Sequence, residues 1–117
     1  MATGKTYTTE QSLGTIATNM SQESSNLASG GYPNADFYIE NAQAGVTYRL
    51  YRRDGTEVAP TVANPKGYID LFWTNGSAGR TTLHGVPLVE NQTFYVNSSD
   101  GVARELRCRR YTWDDSV

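Results

Sequence analysis

Val46-Thr47-Tyr48-Arg49-Leu50-Tyr51-Arg52-Arg53, followed at once by Asp54-Gly55, places Val46, Tyr48 and Leu50 in alternation with Thr47, Arg49 and Tyr51. Successive side chains of a β-strand point to opposite faces, so a period of two marks a strand with one buried face and one solvated face. Asp-Gly accepts the positive φ angles of a tight turn, which predicts a hairpin where this strand ends.

The same period runs outward from this stretch. Phe37 and Ile39 alternate with Tyr38 and Glu40; Ile69, Leu71 and Trp73 with Tyr68, Asp70 and Phe72; Phe94 and Val96 with Thr93 and Tyr95; Leu106 and Cys108 with Glu105, Arg107 and Arg109. Asn75-Gly76 and Asp100-Gly101 predict two further hairpins, and Pro60, Pro65 and Pro87 fall between the apolar runs, where a missing amide harms no sheet ladder. With Thr81 to Val86 and a short strand near Glu57 and Val58, about seven strands are expected, in an all-β antiparallel sandwich.

The first 32 residues differ from the rest, being poor in aromatics and rich in Thr, Ser, Asn and Gln. Leu13, Ile16, Ala17 and Met20 have the spacing of one helical face, and Thr8 with Gln11 has that of a capping box. Gly14 and the β-branched Thr15, Ile16 and Thr18 oppose a helix. Residues 1–32 are therefore expected to form a mostly irregular arm, either a short helix or an extended segment docked on a neighbour. Ser29-Gly30-Gly31-Tyr32-Pro33-Asn34 ends the arm, leaving a sandwich over 33–113 and a tail over 114–117.

At 117 residues the chain suits one domain, and 38% hydrophobic with 19% charged residues is an ordinary globular balance. A net charge of -2 supplies no field that would draw it to nucleic acid or an anionic membrane, so neither is an expected partner. Cys108 is the single cysteine, which excludes an intrachain disulfide. The first residues lack the pattern of a secretory signal, so synthesis in a cytoplasm is expected. Lysine occurs only at Lys5 and Lys66 while Asn, Ser, Thr, Gly and Tyr abound, a composition that suits a surface facing the outside of a cell. A virion component made in a host cytoplasm meets both conditions; a cell-surface or secreted protein is the alternative.

The stretch from Asn41 to Val58, with Tyr48-Arg49-Leu50-Tyr51 at its centre, then Leu83-His84-Gly85-Val86-Pro87-Leu88 and Gln92-Thr93-Phe94-Tyr95-Val96, resembles immunoglobulin-like and fibronectin type III-like modules of phage structural and bacterial surface proteins. The resemblance covers roughly residues 35 to 111 and lacks the cysteine pair of antibody domains. It implies adhesion, spacing or decoration in place of catalysis.

Reactive groups are few. His84 is the only histidine; a triad would need it beside Cys108 or a serine and an orienting carboxylate. Cys108 shares its phase with Leu106, which points the thiol into the core. One His and one Cys cannot make a zinc site, and no calcium-loop or phosphate-loop pattern is present. The expectation is a chain with no catalytic residues, no metal site and no cofactor.

If the strands pair as in an immunoglobulin-like sandwich, the strand holding Val46 to Arg53 shares a sheet with Thr93 to Asn97 and Val102 to Tyr111. Arg49, Tyr51, Arg53, Tyr95, Arg107, Arg109 and Tyr111 then project from one face, and Arg and Tyr are residue types that dominate interfaces. This patch is the candidate partner-binding face. The plainer reading of the same residues is a solvated sheet whose arginines pair with Glu105 or Asp70. The expected role is structural: a capsid decoration or head-stabilising protein that meets capsid or other assembly subunits through the arm and the Arg/Tyr face. The alternative is an adhesin or carbohydrate-binding module that takes glycans on Tyr32, Tyr68, Phe72 or Trp113.

Overall fold

The computed structural model describes residues 2–54, 59–63, 68–73 and 77–116. The turns expected at Gly55 and Asn75-Gly76 and the strand expected near Glu57 and Val58 lie outside them. Eight strands occur among the described residues: β1 (Ala2–Tyr7), β2 (Gln11–Ile16), β3 (Asn34–Ala42), β4 (Thr47–Asp54), β5 (Tyr68–Trp73), β6 (Gly79–Pro87), β7 (Gln92–Ser98) and β8 (Arg104–Ser116). They form two antiparallel sheets, a large one in the order β1-β8-β3-β6 with β2 also on β8, and a small one in the order β5-β4-β7. Bridges from Asn19 to Asn97 and from Leu27 to Gln92 lay residues 19–27 along the remaining edge of β7.

The pairing follows one rule. Ala2 lies opposite Ser116, Gln11 opposite Cys108, Asn19 opposite Asn97, Leu27 opposite Gln92, Asn34 opposite Pro87, Ala42 opposite Gly79, Thr47 opposite Trp73 and Tyr51 opposite Tyr68. Every pair is equidistant from Pro60 to within a few residues, so the chain is one long hairpin folded back on itself. Two further pairings, Phe37 with Cys108 and Leu50 with Val96, arise when that hairpin is rolled. This winding is that of a jelly roll.

The all-β antiparallel sandwich expected from the alternation is borne out. Its strand order differs from the immunoglobulin one, which would set the last strand beside β7. Here β8 lies in the other sheet, between β2 and β3. The inward phase of Leu106 and Cys108 suits either sheet equally, and the edge of β8 that an immunoglobulin order would leave free is taken by β1 and β2.

Residues 2–32 contain the strands β1 and β2 joined by irregular segments, and the surface on which they dock is their own chain. The helix considered for Leu13 to Met20 does not form. Ser12 faces Arg107 and Thr15 faces Glu105, so Leu13 and Gly14 together oppose Leu106 as a β-bulge, with Gly14 at φ 100°. A bulge shifts the phase of a strand by one residue. Leu13 and Ile16, three apart, thereby face the same side, and that spacing imitated a helical period. Both are buried in the core with Leu27, so the arm closes the sandwich. The expected tail is likewise part of the fold: Asp114, Asp115 and Ser116 continue β8 against β1.

Between the sheets lie Phe37, Ile39, Tyr48, Leu50, Leu83, Phe94, Val96, Leu106 and Cys108, with the Phe37 and Phe94 rings tilted at 4.5 Å between centroids. A void of about 10 Å³ lined by Phe37, Tyr48, Leu83 and Leu106 has room for about one water and none for a ligand. Most buried polar groups are matched, the Gln92 Nε2 and Arg110 Nε atoms being exceptions among the described residues. Arg104 makes two 2.7 Å bonds to the Asp100 carboxylate, donates to the Asn41 carbonyl at 3.0 Å and covers the Tyr48 ring. That guanidinium holds the Asp100 carboxyl well below the usual carboxylate range.

Candidate functional site

The seven residues expected on one face are divided between two. Arg49, Tyr51 and Arg53 on β4 and Tyr95 on β7 belong to the small sheet; Arg107, Arg109 and Tyr111 belong to β8 in the large one. The single Arg and Tyr patch is therefore not formed, because β8 pairs with β3 and not with β7. On the small sheet Tyr51 lies opposite Tyr95, and both are buried, at 3% and 6% exposure, in a cluster with Met20 and Ala59. Arg53 pairs with Glu23 at 3.7 Å, and Arg49 is exposed.

On the large sheet a polar and aromatic cluster forms around Asp36 of β3. Ala35 pairs with Val86 and Phe37 with Leu83, so His84 and Gly85 of β6 both stand opposite Asp36, in a second bulge with Gly85 at φ 72°. The bulge presents two groups to one carboxylate: the Gly85 N–H donates to Oδ1 at 3.0 Å, and His84 Nδ1 lies 3.3 Å from Oδ2. Across β8 the Tyr7 hydroxyl donates to Oδ2 at 2.8 Å, and Lys5 Nζ is 3.9 Å away. The carboxylate itself is only 2% exposed.

Burial alone would raise the Asp36 carboxyl, but hydrogen bonds from Tyr7, Gly85 and His84 and the charge of Lys5 outweigh it and hold the group below its ordinary value. Burial and the bond to Asp36 push the Tyr7 phenol up to about 12. Above this floor the aromatic rings stack with cations. Tyr7 and Tyr111 are 5.2 Å apart, Tyr111 meets Trp113 edge-on at 5.8 Å, Lys5 Nζ lies 4.5 Å from the Tyr111 ring, and the Arg109 guanidinium lies 4.1 Å from Tyr7. Trp113 is 55% exposed and the His84 side chain 70%, so they form the open rim.

Arg107 lies further along the same face and is engaged within the molecule. It donates to Glu105 at 2.8 Å, as the plainer reading had it, and to Glu10 at 2.5 Å. Glu10 also takes two bonds from Arg80, which reaches Glu40 and lies over the Tyr38 ring at 4.6 Å. The Glu10 and Arg80 side chains thus tie the loop before β2 to β6 across the intervening strands.

The chemistry available to His84 is limited by the sheet. Asp36 supplies the orienting carboxylate, but Cys108 faces the opposite side among the core residues, where burial pushes its thiol up to about 12. Among the described residues no group of three or more His, Cys, Asp and Glu could hold a metal ion. Of the aromatics considered for a glycan, Tyr32 is half-buried under Arg110 and Trp113 is exposed, while the side chains of Tyr68 and Phe72 lie outside the described residues.

Sequence reasoning found Arg109 and Tyr111 but missed Lys5, Tyr7 and Asp36. Gly85 beside His84 was the available signal, since a glycine within a strand marks a bulge and a bulge re-aims its neighbours. These features define an all-β antiparallel sandwich, wound as a rolled hairpin, with an aromatic and cationic face on its large sheet. No family model, curated protein or solved structure matches the chain.

Proposed function

We propose that the chain is a non-catalytic assembly module, a virion component of the capsid-decoration or head-stabilising kind, which meets a neighbouring protein subunit through the outer face of the large sheet. The observation that carries this reading is the exposed rim of Trp113 and His84, with the half-buried Arg109 beside it, set on a floor of Asp36, Tyr7 and Tyr111 whose bonds are already made. Interfaces draw most of their energy from a few Trp, Tyr and Arg side chains, and a face ordered before contact loses little entropy on binding. Jelly rolls serve in viral capsids and in lectins, which is support from analogy of fold alone.

The test is co-sedimentation with virus particles recovered from the source culture. Wild-type protein is expected in the particle fraction, and Trp113→Ala and Arg109→Glu variants in the soluble fraction with an unchanged circular dichroism spectrum. Wild-type protein that never travels with particles, or variants that travel equally well, would overturn the reading.

A further inference from the structure

The small sheet carries a second, unrelated feature at the end of its outer face. Glu23, Asn26, Arg53, Asn91 and Thr93 line an open polar cleft of about 300 Å³. Its walls are fixed by main chain: Leu27 and Gln92 exchange N–H to carbonyl bonds in both directions at 2.8 and 3.2 Å, and Ser24 N–H donates to the Phe94 carbonyl at 2.8 Å. Such a cleft exists before any ligand arrives.

The polar groups in it are unevenly used. The Thr93 hydroxyl at 3.0 Å, the Tyr95 hydroxyl at 3.2 Å and Arg53 Nη1 at 3.7 Å all converge on Glu23 Oε2. Glu23 Oε1 has no hydrogen bond among the described residues, and neither do the exposed carboxamides of Asn26 and Asn91. The cleft therefore offers a carboxylate oxygen as acceptor beside two carboxamides that both donate and accept. A hydroxyl pair on adjacent carbons matches that set, each O–H donating to an oxygen while its own oxygen receives an N–H. Glu23 and Arg53 offset each other's charge, so nothing favours an ionic ligand.

We propose that this cleft binds a single neutral sugar unit, such as the terminal residue of a glycan. The volume is at the small end for ligand sites, as one monosaccharide requires. The proposal stands apart from the assembly role, since it uses the other sheet and none of the residues around Asp36.

Amide NMR titration of the full chain with mannose, galactose, glucose and N-acetylglucosamine at millimolar concentration tests it, with glycerol and sialic acid as controls. Saturable shifts confined to the amides of residues 23–27 and 90–93 are expected for at least one neutral sugar and for neither control. Asn26→Ala and Glu23→Gln should weaken that binding at least about tenfold. Asn91→Gly should do the same while keeping the backbone, because Asn91 sits at φ 54° and glycine accepts that conformation. The proposal is overturned by no saturable shift with any neutral sugar, by equal binding in Asn26→Ala, or by preference for sialic acid.

Discussion

The outer face of the large sheet is covered by long side chains that reach across it, whereas the outer tyrosines of the small sheet are covered from its edge, by a segment that lies beside β7. Arg107, Arg80, Glu10, Lys5 and Arg109 extend over Tyr38, Tyr7 and Tyr111 on the first. On the second, residues 19–27 run beside β7 and bring Met20 against Tyr51 and Tyr95. Arg and Tyr at alternating positions appear in both, so the residue types alone did not decide their fate. The winding decided it: the segment that follows β2 passes to the small sheet and lies along β7. A cover of long side chains leaves aromatic rims such as Trp113 open to a partner, while the segment beside β7 buries Tyr51 and Tyr95 under Met20 and leaves a cleft at its end.

The largest effect should come from loosening the segment beside β7. Leu27 anchors that segment in the core at 2% exposure. Leu27→Ala should cost about 2–5 kcal/mol in urea unfolding, the range for a buried leucine that leaves a cavity. A cost near zero would mean that residues 19–27 merely rest on β7, which would erase the difference between the faces.

Next is the buried carboxylate beneath the large face. Asp36→Ala should cost about 3 kcal/mol, because it leaves the Tyr7 hydroxyl and the Gly85 N–H without an acceptor next to Lys5. The pH dependence has two limbs. Asp36 has a folded value below its unfolded one, so its contribution is complete above about pH 4 and is lost as pH falls through the folded value. Tyr7 is raised from 10.0 to about 12, so its contribution is complete below pH 10 and is lost as pH rises towards about 12. Cys108, Tyr95 and Tyr111 are raised as well, so Tyr7→Phe should shrink the alkaline limb of a plot of urea midpoint against pH without abolishing it, and an unchanged alkaline limb would show that Tyr7 does not report on Asp36.

Smaller still is the bulge that aims His84 and Gly85 at Asp36. A Cβ at Gly85 would meet the Tyr111 hydroxyl at an ordinary 3.7 Å, so Gly85→Ala is opposed by its φ of 72° and not by space. A loss of about 1–2 kcal/mol is expected in the same assay. No loss would mean that the bulge is not needed where the structure has it.

What the sequence disclosed was phase, and what it withheld was pairing. The inward sets Phe37 with Ile39, Tyr48 with Leu50, Phe94 with Val96 and Leu106 with Cys108 were legible because each strand buries one face. The sheet to which β8 belongs was not, since an alternating strand fits either layer and only its partners distinguish them. The two bulges had local signals in Gly14 and Gly85, yet at Leu13 and Ile16 the first of them produced a spacing that a helix shares. Asp36 stayed hidden for another reason: three of its partners, Tyr7, Lys5 and the Gly85 amide, come from strands remote in sequence, and no motif joins them.

The central claim is that β8 closes a rolled hairpin inside the large sheet, which is what puts Arg107 and Arg109 on a different side from Arg49 and Arg53. Backbone NOE contacts of Cys108 test it most directly. The account predicts contacts from Cys108 to Phe37 on one side and to Gln11 on the other; contacts from β8 to Phe94 or Val96 backbone would place the strand beside β7 and contradict it.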